Sequence, residues 1–220
     1  MADLDIFLSV GGTANAKQET FVSSVEDRLR SEGLISHTVG RNTFSADAPI
    51  RTVEKLMDKC VGTIVIALER SYFSEGLEKR GGDKEQALAN IRLPTPWNHI
   101  EAAMSYTRGL PILVLVEEGL KNEGLLEHGY DWYVQTVELD VSSLNGPEFN
   151  GVLASWKEKI TQNAKQNNEL ITPDQHANPA DQTIAQLIGG LKPAQLWGVM
   201  GTFAAVIAGA FAVGAKVIGN

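Results

Sequence analysis

Short aliphatic runs alternate along this chain with stretches in which apolar residues recur every three or four positions, and the two patterns predict strands and helices in turn. LDIFLSV, residues 4 to 10, reads as a first strand. The glycine turn GGTAN follows it, then a helix whose apolar face is Phe21, Val22, Val25 and Leu29 and which Gly33 stops. LISHTV, residues 34 to 39, is the second strand. After the polar loop RNTFSADAP, Pro49 stands in a first helical turn, where its missing N–H costs nothing; Ile50, Val53, Leu56, Met57 and Cys60 form that helix's stripe. VGTIVIAL, residues 61 to 68, is aliphatic throughout, as a strand covered on both faces must be.

The polar stretch from Glu69 to Leu93 exceeds the usual connection of about 2–6 residues, so it should carry an insertion or a lid, with EKRGGDKEQ as a solvated loop. Thr95 can then cap a helix that has Pro96 at its first position and Ile100, Ala103, Met104 and Thr107 at helical spacing. Gly109 ends it. LPILVLV is the fourth strand, WYVQTVEL (132 to 139) the fifth, and PEFNGVLASWKEKITQNAKQ a closing helix. Strands joined by right-handed helical crossovers make a doubly wound α/β fold over residues 1–166, a five-stranded parallel sheet of flavodoxin-like order 2-1-3-4-5. Such sheets bind ligands where the strand order reverses, at the carboxyl ends of strands 1 and 3. Three segments meet there: Gly11 to Asn15, Glu69 to Thr95, and the helix start with Trp97 and Glu101.

Composition narrows the function classes. With 43% hydrophobic and 21% charged residues the chain is that of a folded protein, and a net charge of -8 with a pI near 5.0 argues against a nucleic-acid partner. One cysteine, Cys60, excludes an internal disulfide and suits packing in a reducing compartment. MADLDIFLSV lacks the basic start of a secretory signal, so the α/β domain is expected in the cytoplasm. Residues 167–194 read as a linker with a short amphipathic segment around Ile184, Leu187, Ile188 and Leu191. LWGVMGTFAAVIAGAFAVGA, residues 196 to 215, has no charge and is long enough to cross about 30 Å of hydrocarbon, so 195–218 is expected to be a transmembrane helix and the protein a single-pass, tail-anchored membrane protein. The alternative is a buried hairpin helix. Gly201, Ala205 and Gly209 lie four residues apart, a small-residue stripe that favours helix–helix approach and hence a homo-oligomer.

The chemistry concentrates at the strand ends. Gly11-Gly12-Thr13 lets a ligand approach backbone N–H groups, but it matches neither G-x-G-x-x-G nor the phosphate loop ending in GK[ST], and a tight turn alone would use the same residues. Trp97 and Glu101 are neighbours on one helix side. They would place a carboxylate beside an aromatic wall, suited to ribose hydroxyls and to a sugar cation. His37, His99, His128 and His176 lack metal-ligand spacing, so no metal is expected.

These residues together resemble TIR domains. Asp5-Ile-Phe-Leu-Ser9 looks like the first TIR box, Ser71-Tyr72-Phe73 resembles the serine and aromatic after the third strand, and Trp97-Asn98-His-Ile-Glu101 fits the W-x-x-x-E catalytic helix. The resemblance covers roughly residues 3 to 140, while Arg41 to Pro49 matches the TIR assembly loop only loosely and the insertion before Trp97 departs from the family. It implies cleavage of the N-glycosidic bond of NAD, with Glu101 catalytic and Ser9, Gly11, Gly12, Thr13, Arg41, Tyr72, Trp97 and Asn98 binding the substrate. NAD enters as substrate and no cofactor is implied. A membrane-tethered NAD glycohydrolase in prokaryotic defence signalling is the function so implied. Two alternatives stand beside it: a sensor that binds a nucleotide signal and disturbs the membrane through its C-terminal helices, and an enzyme similar to nucleoside 2-deoxyribosyltransferases, which share the sheet and a glutamate on this helix.

Overall fold

The computed structural model describes residues 3–171. Five parallel strands form the central sheet: β1 (Leu4–Val10), β2 (Leu34–His37), β3 (Thr63–Ala67), and two further strands that become β6 (Ile112–Glu117) and β7 (Tyr133–Val137) because a hairpin intervenes. Their order is β2-β1-β3-β6-β7, the 2-1-3-4-5 winding expected from the alternation of patterns.

Helices α1 (Ala16–Ser31) and α4 (Pro147–Ile171) cover one face and α2 (Pro49–Met57) and α3 (Pro96–Thr107) the other. Alternation along β3 shows why the strand is aliphatic throughout. Ile64 and Ile66 pack with Phe21, Val25 and Phe149, whereas Val65 and Ala67 pack with Ala102 and Val114. Each Ile, Val and Phe among them, wholly removed from water, contributes roughly 1.5–3 kcal/mol. Cys60 closes the smaller cluster with Phe7, Val53 and Met57, and burial pushes its thiol up to about 12, so it is an inert packing group.

The long polar stretch is an antiparallel hairpin, β4 (Ser71–Glu78) and β5 (Gln86–Leu93), with the charged run forming its turn and Lys79 and Gly81 taking positive φ there. Its alternation was hidden because both faces are largely exposed and carry polar residues. Its base is fixed. The Arg92 guanidinium donates to Glu69, to Glu117 Oε1 at 2.6 Å and to the Glu118 carbonyl, and the Arg70 N–H donates to Leu93 O at 2.8 Å. Since β4 starts one residue after Arg70 and β5 leads into the α3 cap, this clasp also fixes both ends of the insertion.

Three local expectations are corrected. Ile50 is exposed rather than part of the α2 stripe; Thr52, Val53 and Met57 are buried, Leu56 packs partly against them, and Cys60 is buried just past the helix end. Ile100 is exposed too: α3 turns Asn98, Glu101, Ala102 and Ser105 to the sheet, and of the expected stripe Met104 packs at the edge against the cluster of Phe7, Val53 and Met57. Helix α4 runs on to Ile171, so the first residues assigned to the linker are helical; Asn-Asn-Glu-Leu-Ile holds no proline or glycine to stop it. Among the described residues no helix is long and apolar enough to cross a membrane, and the segment 195–218 lies outside them.

Candidate functional site

The carboxyl ends of β1 and β3 and the start of α3 enclose a cleft of about 270 Å³. Val10, Gly11 and Gly12 line it from β1, Val39, Pro49 and Val53 from the β2–α2 side, Arg70 from the end of β3, and Thr95, Trp97 and Glu101 from α3. The α3 start is built as its sequence dictates: the Thr95 hydroxyl accepts from the Trp97 N–H at 3.4 Å and Pro96 occupies the first turn. A side chain at Gly11 would put its Cβ 3.0 Å from Thr95 Cγ2, so glycine lets the β1 loop approach this cap.

Glu101 is 8% exposed and its carboxyl is pushed up to about 7, because burial penalises the charged form; the nearby Ser9 hydroxyl opposes that shift. Asn98 holds that hydroxyl in place. Its Nδ2 donates to Ser9 Oγ at 3.1 Å, to Ser9 O at 3.4 Å and to Ile66 O at 3.3 Å. With Ser9 Oγ already accepting, its proton is free to turn toward the Glu101 side of the cleft. Ser105 Oγ donates to the Glu101 backbone O at 2.8 Å and lies 2.8 Å from Thr63 Oγ1. The polar face of α3 is therefore a bonded array pinned to β1 and β3, and its exposed end is a carboxylate held near neutrality. Such a group is ionised in part at pH 7 and can meet developing positive charge or exchange a proton.

The expected residues divide. Glu101, Trp97, Gly11 and Gly12 line the cleft, while Ser9 and Asn98, both 1% exposed, support Glu101 from beneath. Thr13, Arg41 and Tyr72 do not line it. Thr13 Oγ1 donates to Glu19 Oε2 at 2.7 Å, and Arg41 is held by Glu19 and Glu26 at 2.8 Å each, which draws the Glu19 carboxyl down to about 2. Tyr72 extends on the hairpin and donates to Asn90 Oδ1 at 2.6 Å. His99 is half-buried beside Gly124. Sequence reasoning missed Arg70, although a cation directly after the third strand was the signal that could have found it. Among the described residues no three His, Cys, Asp or Glu side chains stand together as a metal site. A larger hollow of about 410 Å³ between α1 and α4 is lined by Arg28, Glu32 and Lys157, which are already paired with one another.

No protein-family model matches the chain, and no curated protein matches it. Similar solved structures include the CMP N-glycosidase BcmB of Clostridium botulinum, 15% identical, covering 63% of this chain and 92% of that one with a TM-score of 0.40. A conserved protein from Enterococcus faecalis V583 is 10% identical, covering 56% of this chain and 69% of that one, with a TM-score of 0.35. The TIR domains of the activated Roq1 resistosome, which recognises the pathogen effector XopQ, are 15% identical over 74% of this chain and 84% of that one, with a TM-score of 0.34. These are what the chain is similar to; the chemistry of the cleft rests on its own residues, a near-neutral carboxylate beside an exposed indole.

Proposed function

We propose that this protein hydrolyses the N-glycosidic bond of a nucleotide, with NAD as the favoured substrate and Glu101 as the catalytic group. The observation that carries this reading is the Glu101 carboxylate, buried above Ser9 and opening beside Trp97 into a cleft of about 270 Å³. That volume is below the ~300–1,000 Å³ of pockets that enclose a drug-sized ligand, so it suits one ribose and its base, with the rest of a dinucleotide outside.

The nicotinamide of NAD is a cationic leaving group. When its bond to the ribose breaks, the bonding pair leaves with neutral nicotinamide and positive charge develops on the sugar. Ionised Glu101 stabilises that charge more than it stabilises the ground state, and it does so in a site shielded from water. Water then adds to the sugar and releases a proton, giving ADP-ribose, nicotinamide and H⁺. The Trp97 indole, 40% exposed, offers a flat face to a base or to its departing ring.

The reading extends to a membrane-tethered homo-oligomer in prokaryotic defence signalling, with the α/β domain in the cytoplasm and residues 195–218 as anchor. This extension rests on the uncharged run and the Gly201, Ala205, Gly209 stripe in the sequence. The decisive test is nicotinamide release from NAD by the full-length protein, with Glu101→Ala and Glu101→Gln alongside. Release should fall by roughly 10²-fold or more in both, and wild-type kcat/KM should rise with pH through an apparent pKa near 7. Unchanged turnover in either variant would remove Glu101 from the chemistry. Saturable NAD binding without release would favour the sensor.

A further inference from the structure

We infer that the cleft takes a phosphorylated ligand and that Arg70 binds its phosphate. This rests on the glycosidase reading for the sugar end of the ligand and names the group at the other end. Arg70 is an exposed cation on the cleft wall, one residue before the hairpin, with its backbone fixed by the bond to Leu93 O. Its side chain makes no ion pair or hydrogen bond among the described residues. Most arginines elsewhere in the domain do, the exception being Arg80 on the exposed hairpin turn: Arg28 holds Glu32, Arg41 holds Glu19 and Glu26, Arg92 holds Glu69 and Glu117, and Arg108 holds Asp58. In a chain of net charge -8, acidic partners are plentiful, and a guanidinium left without one beside a cleft is available for an anionic ligand.

The loop across from it supplies a further donor. The Gly12 N–H makes no hydrogen bond among the described residues, and a Cβ at Gly12 would lie 3.7 Å from Arg70 Nη1. Glycine therefore keeps open the gap between the loop backbone and the guanidinium. The start of α1 does not compete for this role: the Asn15 side chain accepts from the Gln18 N–H at 3.0 Å and the Gln18 side chain from the Ala14 N–H at 2.7 Å. A forked cation beside a free backbone N–H suits the oxygens of a phosphate, and Glu101 in the same cleft suits the sugar that bears it. The ligand class is thus a nucleotide, whose phosphate contributes to binding, rather than a nucleoside.

Nicotinamide mononucleotide and nicotinamide riboside differ only in that phosphate, and titration calorimetry of each into full-length Glu101→Gln measures its contribution without turnover. The mononucleotide should bind roughly tenfold more tightly, Arg70→Ala should bring the two within about twofold, and Arg70→Lys should keep part of the preference as a point charge without the fork. Equal affinities, a preference that survives Arg70→Ala, or no binding of either ligand at millimolar concentration would overturn the inference. The two proposals fail separately. A phosphate preference lost with Arg70 but no nicotinamide release would sink the hydrolase and keep the phosphate site, whereas release with equal kcat/KM from both compounds would do the reverse.

Discussion

Replacing Glu101 by glutamine should stabilise the protein at neutral and alkaline pH while abolishing activity. In the folded protein the carboxyl is raised from 4.5 to about 7 by burial, so the folded state binds more protons than the unfolded one across that window. Stability contributed by this group is fully present below pH 4.5, falls as pH rises, and is lost once pH passes the folded value. At about 1.36 kcal/mol per unit, the shift amounts to about 3 kcal/mol by pH 8. Glutamine keeps the shape and a carbonyl oxygen for the Ser9 hydroxyl but carries no charge to desolvate. The two proteins should therefore unfold within about 1 kcal/mol of each other at pH 4, where Glu101 is protonated, and differ by about 3 kcal/mol at pH 8.

Urea unfolding at pH 4 to 8 reads this directly. With m near 2 kcal/mol/M, the midpoint of Glu101→Gln should move above wild type by about 1.5 M at pH 8. Taking the difference between the two proteins removes the opposing carboxylates, such as Glu19, whose lowered pKa favours folding at higher pH. If the two curves run parallel between pH 5 and 8, the carboxylate is not desolvated in the folded state and the account of its near-neutral pKa fails.

Two further substitutions test the supports of the site and of the sheet. Ser9→Ala removes the donor that favours ionised Glu101, so its pKa should rise further and the limb of the pH–rate profile should move to higher pH with little loss at the plateau; an unmoved limb would show that Ser9 does not hold the carboxylate. Gly62→Ala puts a Cβ 2.4 Å from Ile160 Cγ2 and 3.0 Å from Trp156 Cζ2 where β3 passes under α4, and both side chains are buried. Overpacking there should cost about 1–3 kcal/mol in urea unfolding, and an unchanged midpoint would mean that α4 is free to shift.

The strands were legible because each is a short aliphatic run with a turn at either end, and the winding follows from helices between them. Cap residues were legible for the same local reason, as Thr95 and Pro96 show. The hairpin was not, since period-two alternation identifies a strand only when one face is buried, and β4 and β5 bury neither face in full. Arg41, Thr13 and Tyr72 were placed at the site by resemblance of motifs, and the structure ties them instead to Glu19, Glu26 and Asn90. Whether a polar residue near a cleft faces it depends on which neighbour it bonds, and that partner is set by tertiary packing.

Helix α3 shows where pattern and function part. Hydrophobic periodicity selects Ile100, Ala103, Met104 and Thr107, yet beside Ala102 the helix buries Asn98, Glu101 and Ser105, and Met104 packs only at the core's edge. Burying these polar groups is unfavourable unless they find partners, and apart from Asn98 Oδ1 their side chains find them. Asn98 Nδ2 reaches Ser9 and Ile66, Ser105 Oγ reaches the Glu101 carbonyl and lies within bonding distance of Thr63, and Glu101 sits by the Ser9 hydroxyl at the cleft. A helix chosen only for stability would turn its apolar side inward and leave the carboxylate in water at its ordinary pKa. The observed orientation instead sets a carboxylate near neutrality at the mouth of a parallel sheet, at a cost in stability that Glu101→Gln should recover. A stability gained by that substitution together with a loss of turnover would show that α3 faces the sheet with this side because of its chemistry.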